Sequence, residues 1–278
     1  MKQRLEQTIA ERPLGAFFVL SYVLFFIALL VIGGLLSALG GVSDIAMGLM
    51  VAIAAWTPNL GAVMVVSVLE GRDGVRRLFS GWRRWRVNWG WYLFVLMPLL
   101  APLASGIGHK LLGGSPPDGA AGLAAPGLVS MVLFHLIQGA TGEELGWRGF
   151  ALPRLQARHS ALASAIILGV LVSGWHTILH LISPPGVPEW QFWLVMVCYS
   201  IIITWAYNSS QGSLVIVTLF HWAANLGLEL ATQGLGLIPI GVLFNILTVE
   251  YVVAAVLVTV LAGPKHLSRQ DRMTAEVV

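Results

Sequence analysis

Eight stretches of this chain each run for some twenty residues with scarcely a charge, and a stretch of that kind has few ways to fold. They fall at roughly 15–39, 46–69, 89–108, 127–147, 161–182, 190–208, 213–231 and 237–262. A helix needs about 20 mostly apolar residues to cross the hydrocarbon of a bilayer. The third stretch is broken by Pro98 and Pro102, and the fourth carries His135, Gln138 and the pair Glu143-Glu144. The expected fold is all-α, a polytopic transmembrane helical bundle of about eight spans.

Composition closes off the alternatives. Charged residues make up 10% of the chain and hydrophobic ones 57%, whereas soluble domains carry about 25% charge. Mean hydropathy is +0.81. A soluble α/β protein would lack the polar surface that water requires. The formal net charge of +3 does not point to nucleic acid, because no aromatic-basic patch is able to track a phosphate backbone. Cys198 is the single cysteine, so neither an intrachain disulfide nor a cysteine metal motif can form. The first apolar run, after Lys2, Arg4 and Arg12, outlasts the apolar region of a signal peptide and reads as an uncleaved span.

Basic residues alternate between loops. Lys2, Arg4 and Arg12 precede the first span; Arg72, Arg76, Arg77, Arg83, Arg84 and Arg86 follow the second; Arg154 and Arg158 follow the fourth; Lys265, Arg269 and Arg272 close the chain. The opposite loops hold Asp44, Lys110, Asp118 and Glu189. By the positive-inside rule this predicts an inner (plasma) membrane protein with both termini in the cytoplasm. The segment 71–90 mixes these arginines with Trp82, Trp85 and Trp89, an interfacial pattern. The Gly- and Pro-rich stretch 109–126 reads as an irregular external connection. The pair Gly40-Gly41 sits at a span end, so it gives no argument for helix pairing, and the sequence assigns no oligomeric state.

Ionisable residues within spans are costly and usually face the protein interior. Glu144 and Arg148 stand four apart on the fourth span and can pair, while Glu143 points about 100° away and is free for other work. His176 and His180 share a face of the fifth span, beside Gly169, Ser173 and Gly174, which allow close helix approach. His221 and Asn225 share a face of the seventh. Each motif alone is equally readable as a helix-end marker or as glue between helices. Together they supply a carboxylate, imidazoles and an amide on three spans. That set suits hydrolysis by an activated water with an oxyanion donor, and equally a bound metal with an open position. No Ser-His-Asp trio suggests itself. His135 lies two turns before Glu143 and is a weaker candidate for the same cavity. Glu229 is expected at the outer end of its span, and Glu250 lies mid-span without an assigned role.

Depth poses a conflict. His176 lies about 22 Å along a span starting at 161, and His221 only about 12 Å into its own. Glu143 is near the basic end of the fourth. These groups meet only if the helices are offset or tilted, or if the segment after Arg148 continues as helix.

The ordered set of motifs resembles the CAAX protease and bacteriocin-processing family, also called the Abi family, of intramembrane endopeptidases. Its double glutamate with an arginine four residues on is matched by Glu143, Glu144 and Arg148. Its aromatic-xxx-histidine motif is matched at Trp175-His176, with Val172 in the aromatic position and Ile178 where many members have proline. Its histidine-xxx-asparagine motif is matched by His221 and Asn225. The resemblance covers about 125–230. It implies Glu143 as the water-activating carboxylate, with His176 sharing in activation or ligation. His221 and Asn225 would face the oxyanion or hold a metal, with Glu144 and Arg148 in support. It further implies a divalent metal such as zinc as one mechanistic option, and a membrane protein or peptide, lipidated in some members, as substrate. On this resemblance the chain divides into 1–126, three spans with the basic loop; 127–231, a catalytic four-helix core; and 232–278, a final span and basic tail. The rival expectations are a catalytically silent scaffold or bacteriocin immunity factor, and a proton-coupled transporter, which would show repeated halves.

Overall fold

The computed structural model describes residues 2–38, 44–118, 122, 124–181 and 183–268. Gly40-Gly41, Arg269 and Arg272 lie outside the described residues, as does part of the stretch 109–126. Helices α1 (Lys2–Glu11), α2 (Pro13–Ala38), α3 (Asp44–Ala55), α4 (Thr57–Leu78), α5 (Gly90–Phe94) and α6 (Met97–Leu111) come first. One long rod then runs through α7 (Ala125–His135), α8 (Thr141–Glu144) and α9 (Leu152–Gln156), joined by π turns at Leu136–Ala140 and Leu145–Ala151. Helices α10 (Ala161–His180), α11 (Glu189–Ser209), α12 (Leu214–Glu229) and α13 (Ile240–Ala262) complete the bundle.

The fold is all-α. Seven of the eight apolar stretches form helices long and apolar enough to cross a membrane among the described residues. The eighth, 127–147, is helical as well, but its two π turns and its buried charges set it apart from a plain span. The outward faces are those of a lipid-facing bundle. Val249, Val253, Val256 and Val260 lie exposed along α13, and Val19, Val23, Leu30 and Val31 along α2. With no water at that depth, apolar side chains outward and bonded backbone inward is the stable arrangement.

The rod is the axis of the molecule. α2 and α4 flank it on one side, and the seam is aromatic. Trp147 of the rod packs edge-on against Phe17 at 5.5 Å and against Trp175 at 5.9 Å, and Phe25 lies 4.1 Å from Trp175. Such rings contribute through large buried area and through edge-to-face geometry. Close approach of α4 is permitted by Gly146, where a Cβ would meet the Pro58 carbonyl oxygen at 2.5 Å. Gly169 does the same for α10 and α11, its missing Cβ lying 2.9 Å from the Val197 Cα.

The arginine-rich end follows α4 directly. Beyond α4 a 3₁₀ turn, Phe79–Arg83, leads to exposed Trp85 and Trp89, and the Arg86 guanidinium lies over the Trp85 ring at 4.9 Å. This segment also anchors the start of α12. Ser213, whose hydroxyl caps that helix by accepting from Ile216 N–H, donates to the Arg84 carbonyl at 2.6 Å.

Candidate active site

The rod bears on the conflict in depth. Helix continues past Arg148 as far as Gln156, so Glu143 sits about 20 Å along the rod from that end, one turn beyond Trp147, which packs against Trp175 of α10. His221 lies only seven residues into α12 yet reaches Glu144 at 2.7 Å. The first turn of α12 therefore begins about 10 Å further into the bundle than that of α10.

Glu143, Glu144 and Arg148 are all buried. Arg148 Nη1 donates to Glu144 Oε1 at 2.9 Å, the i,i+4 pair expected from the sequence. The same oxygen meets His221 Nδ1 at 2.7 Å. One carboxylate oxygen thus serves two partners, one on its own helix and one from α12. Two buried charges are tolerated only with such pairing. The network is not closed: Glu144 Oε2 and Arg148 Nε are buried without a hydrogen-bond partner among the described residues.

Glu143 faces another way, as its position one residue along the helix requires. Its Oε2 accepts from Trp147 Nε1 at 3.2 Å. Its Oε1 turns toward the bare backbone of Gly139. A Cβ placed there would lie 2.8 Å from Asn225 Nδ2 and 3.8 Å from both Glu143 Oε1 and His221 Nε2. Three functional atoms from two elements therefore surround one point that only a glycine leaves empty. Among the described residues none of the three atoms has a hydrogen-bond partner.

His176 is held from its own helix. Its Nδ1 lies 2.9 Å from the Val172 carbonyl oxygen, so Nδ1 carries the proton and Nε2 is left free. The contact is to backbone, and the change from an aromatic residue to Val172 leaves it intact. The ring lies edge-on to Trp175 at 4.9 Å and 5.7 Å from Phe192, and it is within electrostatic reach of His221 and Arg148. His180, on the same face, is engaged elsewhere, its Nδ1 3.0 Å from Glu189 Oε2. His135 lies within electrostatic reach of His221. Glu229 is not at the end of its span as expected, since the helix continues from it through a π turn to Gly234, and Glu250 lies beside Ser105 of α6.

Two residues escaped the sequence reading. Asn59 of α4 is buried; its Nδ2 donates to the Thr141 carbonyl at 2.7 Å and its Oδ1 accepts from Gly146 N–H at 2.9 Å. The two groups are five residues apart, the pair that a π turn would close for itself. Asn59 thereby grips the rod on both sides of the acidic pair. A polar side chain in the middle of a span was the available signal. Tyr199 of α11 lies with its ring 5.9 Å from His221 and 5.8 Å from the Arg148 guanidinium carbon, its hydroxyl buried without a partner among the described residues. Nothing in the surrounding apolar run marks it out.

Metal fit can be judged from the donors. Among the described residues no three His, Cys, Asp or Glu side chains come together as a ligand group, whereas a catalytic zinc takes three protein ligands.

Comparison with known proteins bears on the same elements. Residues 125–227 match the family Type II CAAX prenyl endopeptidase Rce1-like. A curated relative, CAAX prenyl protease 2 of Methanococcus maripaludis, is 38% identical over 124 residues, covering 41% of this chain and 46% of the relative. The alignment thus spans less than half of that protein. The Rce1-like segment opens at the first residue of α7 and closes two residues beyond Asn225, so it holds every residue assigned to the site from sequence. It omits α4, and with it Asn59. The similarity is thus to CAAX proteases, over the segment that carries Glu143, Glu144, Arg148, His176, His221 and Asn225.

Proposed function

We propose that this protein is an intramembrane endopeptidase that hydrolyses a peptide bond of a membrane-associated protein or peptide. The observation that carries the reading is the convergence of Glu143 Oε1, His221 Nε2 and Asn225 Nδ2 around Gly139. A water at that point would lose its proton to Glu143 as its oxygen attacks the peptide carbonyl carbon. The carbonyl electron pair moves to oxygen, and the oxyanion takes hydrogen bonds from the Asn225 amide and from His221 Nε2–H. Glu144, bonded at Nδ1, stabilises the imidazolium form that offers this donor. When the intermediate collapses, the C–N bond breaks and the proton held on Glu143 passes to the departing amine. General base catalysis of this kind contributes about 10²–10⁴-fold. His176, whose Nδ1 is held by the Val172 carbonyl, is assigned to positioning the substrate or the water.

The name of the Methanococcus relative supports a prenylated protein as the substrate class. The distribution of arginines supports a plasma membrane location with the basic end in the cytoplasm.

The test is cleavage by the detergent-purified chain of matched peptides with and without a C-terminal prenyl group. Wild type should cut the lipidated peptide. Glu143→Ala should lose at least about 10³-fold in kcat, and His221→Ala about 10²-fold. Equal cleavage by all three proteins would remove the proposal. Metal content measured in the same samples addresses zinc: occupancy lost in both variants would place a metal at this site, and occupancy equal in all three would place it elsewhere.

A further inference from the structure

A second polar locus lies at the arginine-rich end, away from the site just described. Where α4 passes into the 3₁₀ turn Phe79–Arg83, a cavity of about 100 Å³ opens between that turn, the end of the rod and the turn joining α11 to α12. Glu143, His176, His221 and Asn225 take no part in its wall. The wall instead carries Arg77, Arg84 and Arg154, with Ser80, Tyr207 and a single carboxylate, Glu70.

The charges do not balance. Glu70 spends both oxygens on two of the arginines, Oε2 on Arg77 at 2.7 Å and Oε1 on Arg154 at 3.3 Å. Arg84 donates to the Gln211 carbonyl at 2.7 Å and has no carboxylate partner among the described residues. Three formal positive charges therefore face one negative. Burial pulls the Arg154 guanidinium below its ordinary value, and Glu70 opposes that without cancelling it. A topology signal requires arginines on the surface; it does not require three of them around one hollow.

Neutral donors converge on the same place. Gly212, in the left-handed region at φ +75°, lines the cavity. A Cβ there would meet Arg84 Nη1 at 2.7 Å and Tyr207 Oη at 3.3 Å. The bare backbone thus leaves room where a guanidinium and a phenol meet. The Tyr207 and Ser80 hydroxyls have no hydrogen-bond partner among the described residues. Planar guanidinium groups with hydroxyls beside them suit an oxyanion with several acceptor oxygens. A carboxylate offers two oxygens and one charge; a phosphate group offers more of both.

We propose that this cavity binds a phosphate group, held by Arg77, Arg84 and Arg154 with the Tyr207 and Ser80 hydroxyls as added donors. The group belongs either to the headgroup of an anionic phospholipid or to free phosphate. The neighbouring interfacial tryptophans, Trp82 and Trp85, put headgroups within reach of the opening. Gly149 and Arg154 belong to the rod that carries the acidic pair, so a ligand here braces that rod from its basic end.

Thermal unfolding of the full chain tests this, after detergent washing has removed lipid phosphorus. One arm titrates inorganic phosphate against chloride at equal ionic strength. The other compares nanodiscs of phosphatidylcholine with nanodiscs containing increasing phosphatidylglycerol. A saturable rise in Tm is expected in at least one arm. A response to inorganic phosphate identifies a soluble ligand, and a response to phosphatidylglycerol alone identifies a headgroup. Tyr207→Phe removes only an unpartnered hydroxyl, and Arg77→Gln changes a largely exposed side chain. Each should raise the half-saturating concentration about tenfold or more. No saturable rise in either arm, or the same half-saturation in wild type and both variants, overturns the proposal. Phosphorus that survives washing in wild type and leaves in Tyr207→Phe counts as binding.

Discussion

Two adjacent glutamates do different work here because one residue of helix turns a side chain by about 100°. Glu144 is committed, its Oε1 shared between Arg148 and His221. Glu143 keeps one oxygen for Trp147 and presents the other at Gly139. The glycine matters because of what it lacks. In Gly139→Ala the new methyl would press on the Asn225 amide, and small displacements of a positioned group can cost about 10²-fold in rate. We expect a loss of at least about tenfold in kcat with an unfolding temperature close to wild type, read by cleavage assay and thermal unfolding side by side. The pairing of Glu144 with Arg148 was legible in the sequence, since the two have the spacing of a helical pair. The pairing of Glu144 with His221 was not, for it joins residues 77 positions apart. Tyr199 was invisible for a different reason: its polar tip acquires meaning only from the ion pair packed beside it.

The rod from Ala125 to Gln156 is an irregular element kept in place by its neighbours. Its π turns leave backbone groups misaligned, and α4 supplies what the rod cannot. Trp56 Nε1 donates to the Ile137 carbonyl at 3.0 Å, and Asn59 takes a carbonyl and an N–H on either side of the acidic pair. Asn59→Leu keeps the volume and removes both bonds. Each buried backbone group left unpaired costs about 1–3 kcal/mol, so the variant should unfold at lower temperature and cleave more slowly, with slower cleavage persisting well below the unfolding transition. Helical character here was readable from hydropathy, and so was its extension beyond Arg148 as one of the options that reconciled the depths. The π turns were not, because an i→i+5 turn is favoured by the partner that fills it and leaves no periodicity of its own. An offset between helices was also among those options, but the anchoring of Ser213 against Arg84 at the start of α12 was hidden, because it joins distant segments.

At the scale of the molecule, the basic loops are the basis for the proposed direction across the bilayer. The orientation proposed above can be read with cysteines, since the chain's own Cys198 is buried in the bundle. A membrane-impermeant maleimide applied to intact cells should label Asp118→Cys and leave Arg76→Cys unlabelled until the membrane is opened; the reverse pattern would invert the topology. The aromatic seam of Phe17, Phe25, Trp147 and Trp175 has a consequence of its own. The Rce1-like segment begins at residue 125, yet its buried tryptophans are roofed by α2 and its helix is held open by α4. A fragment cut at that boundary would present two indoles and an unsupported bend to the lipid. The segment that matches other chains is therefore smaller than the unit that is packed, and α2 and α4 form the wall on which its aromatic seam and its bend rest.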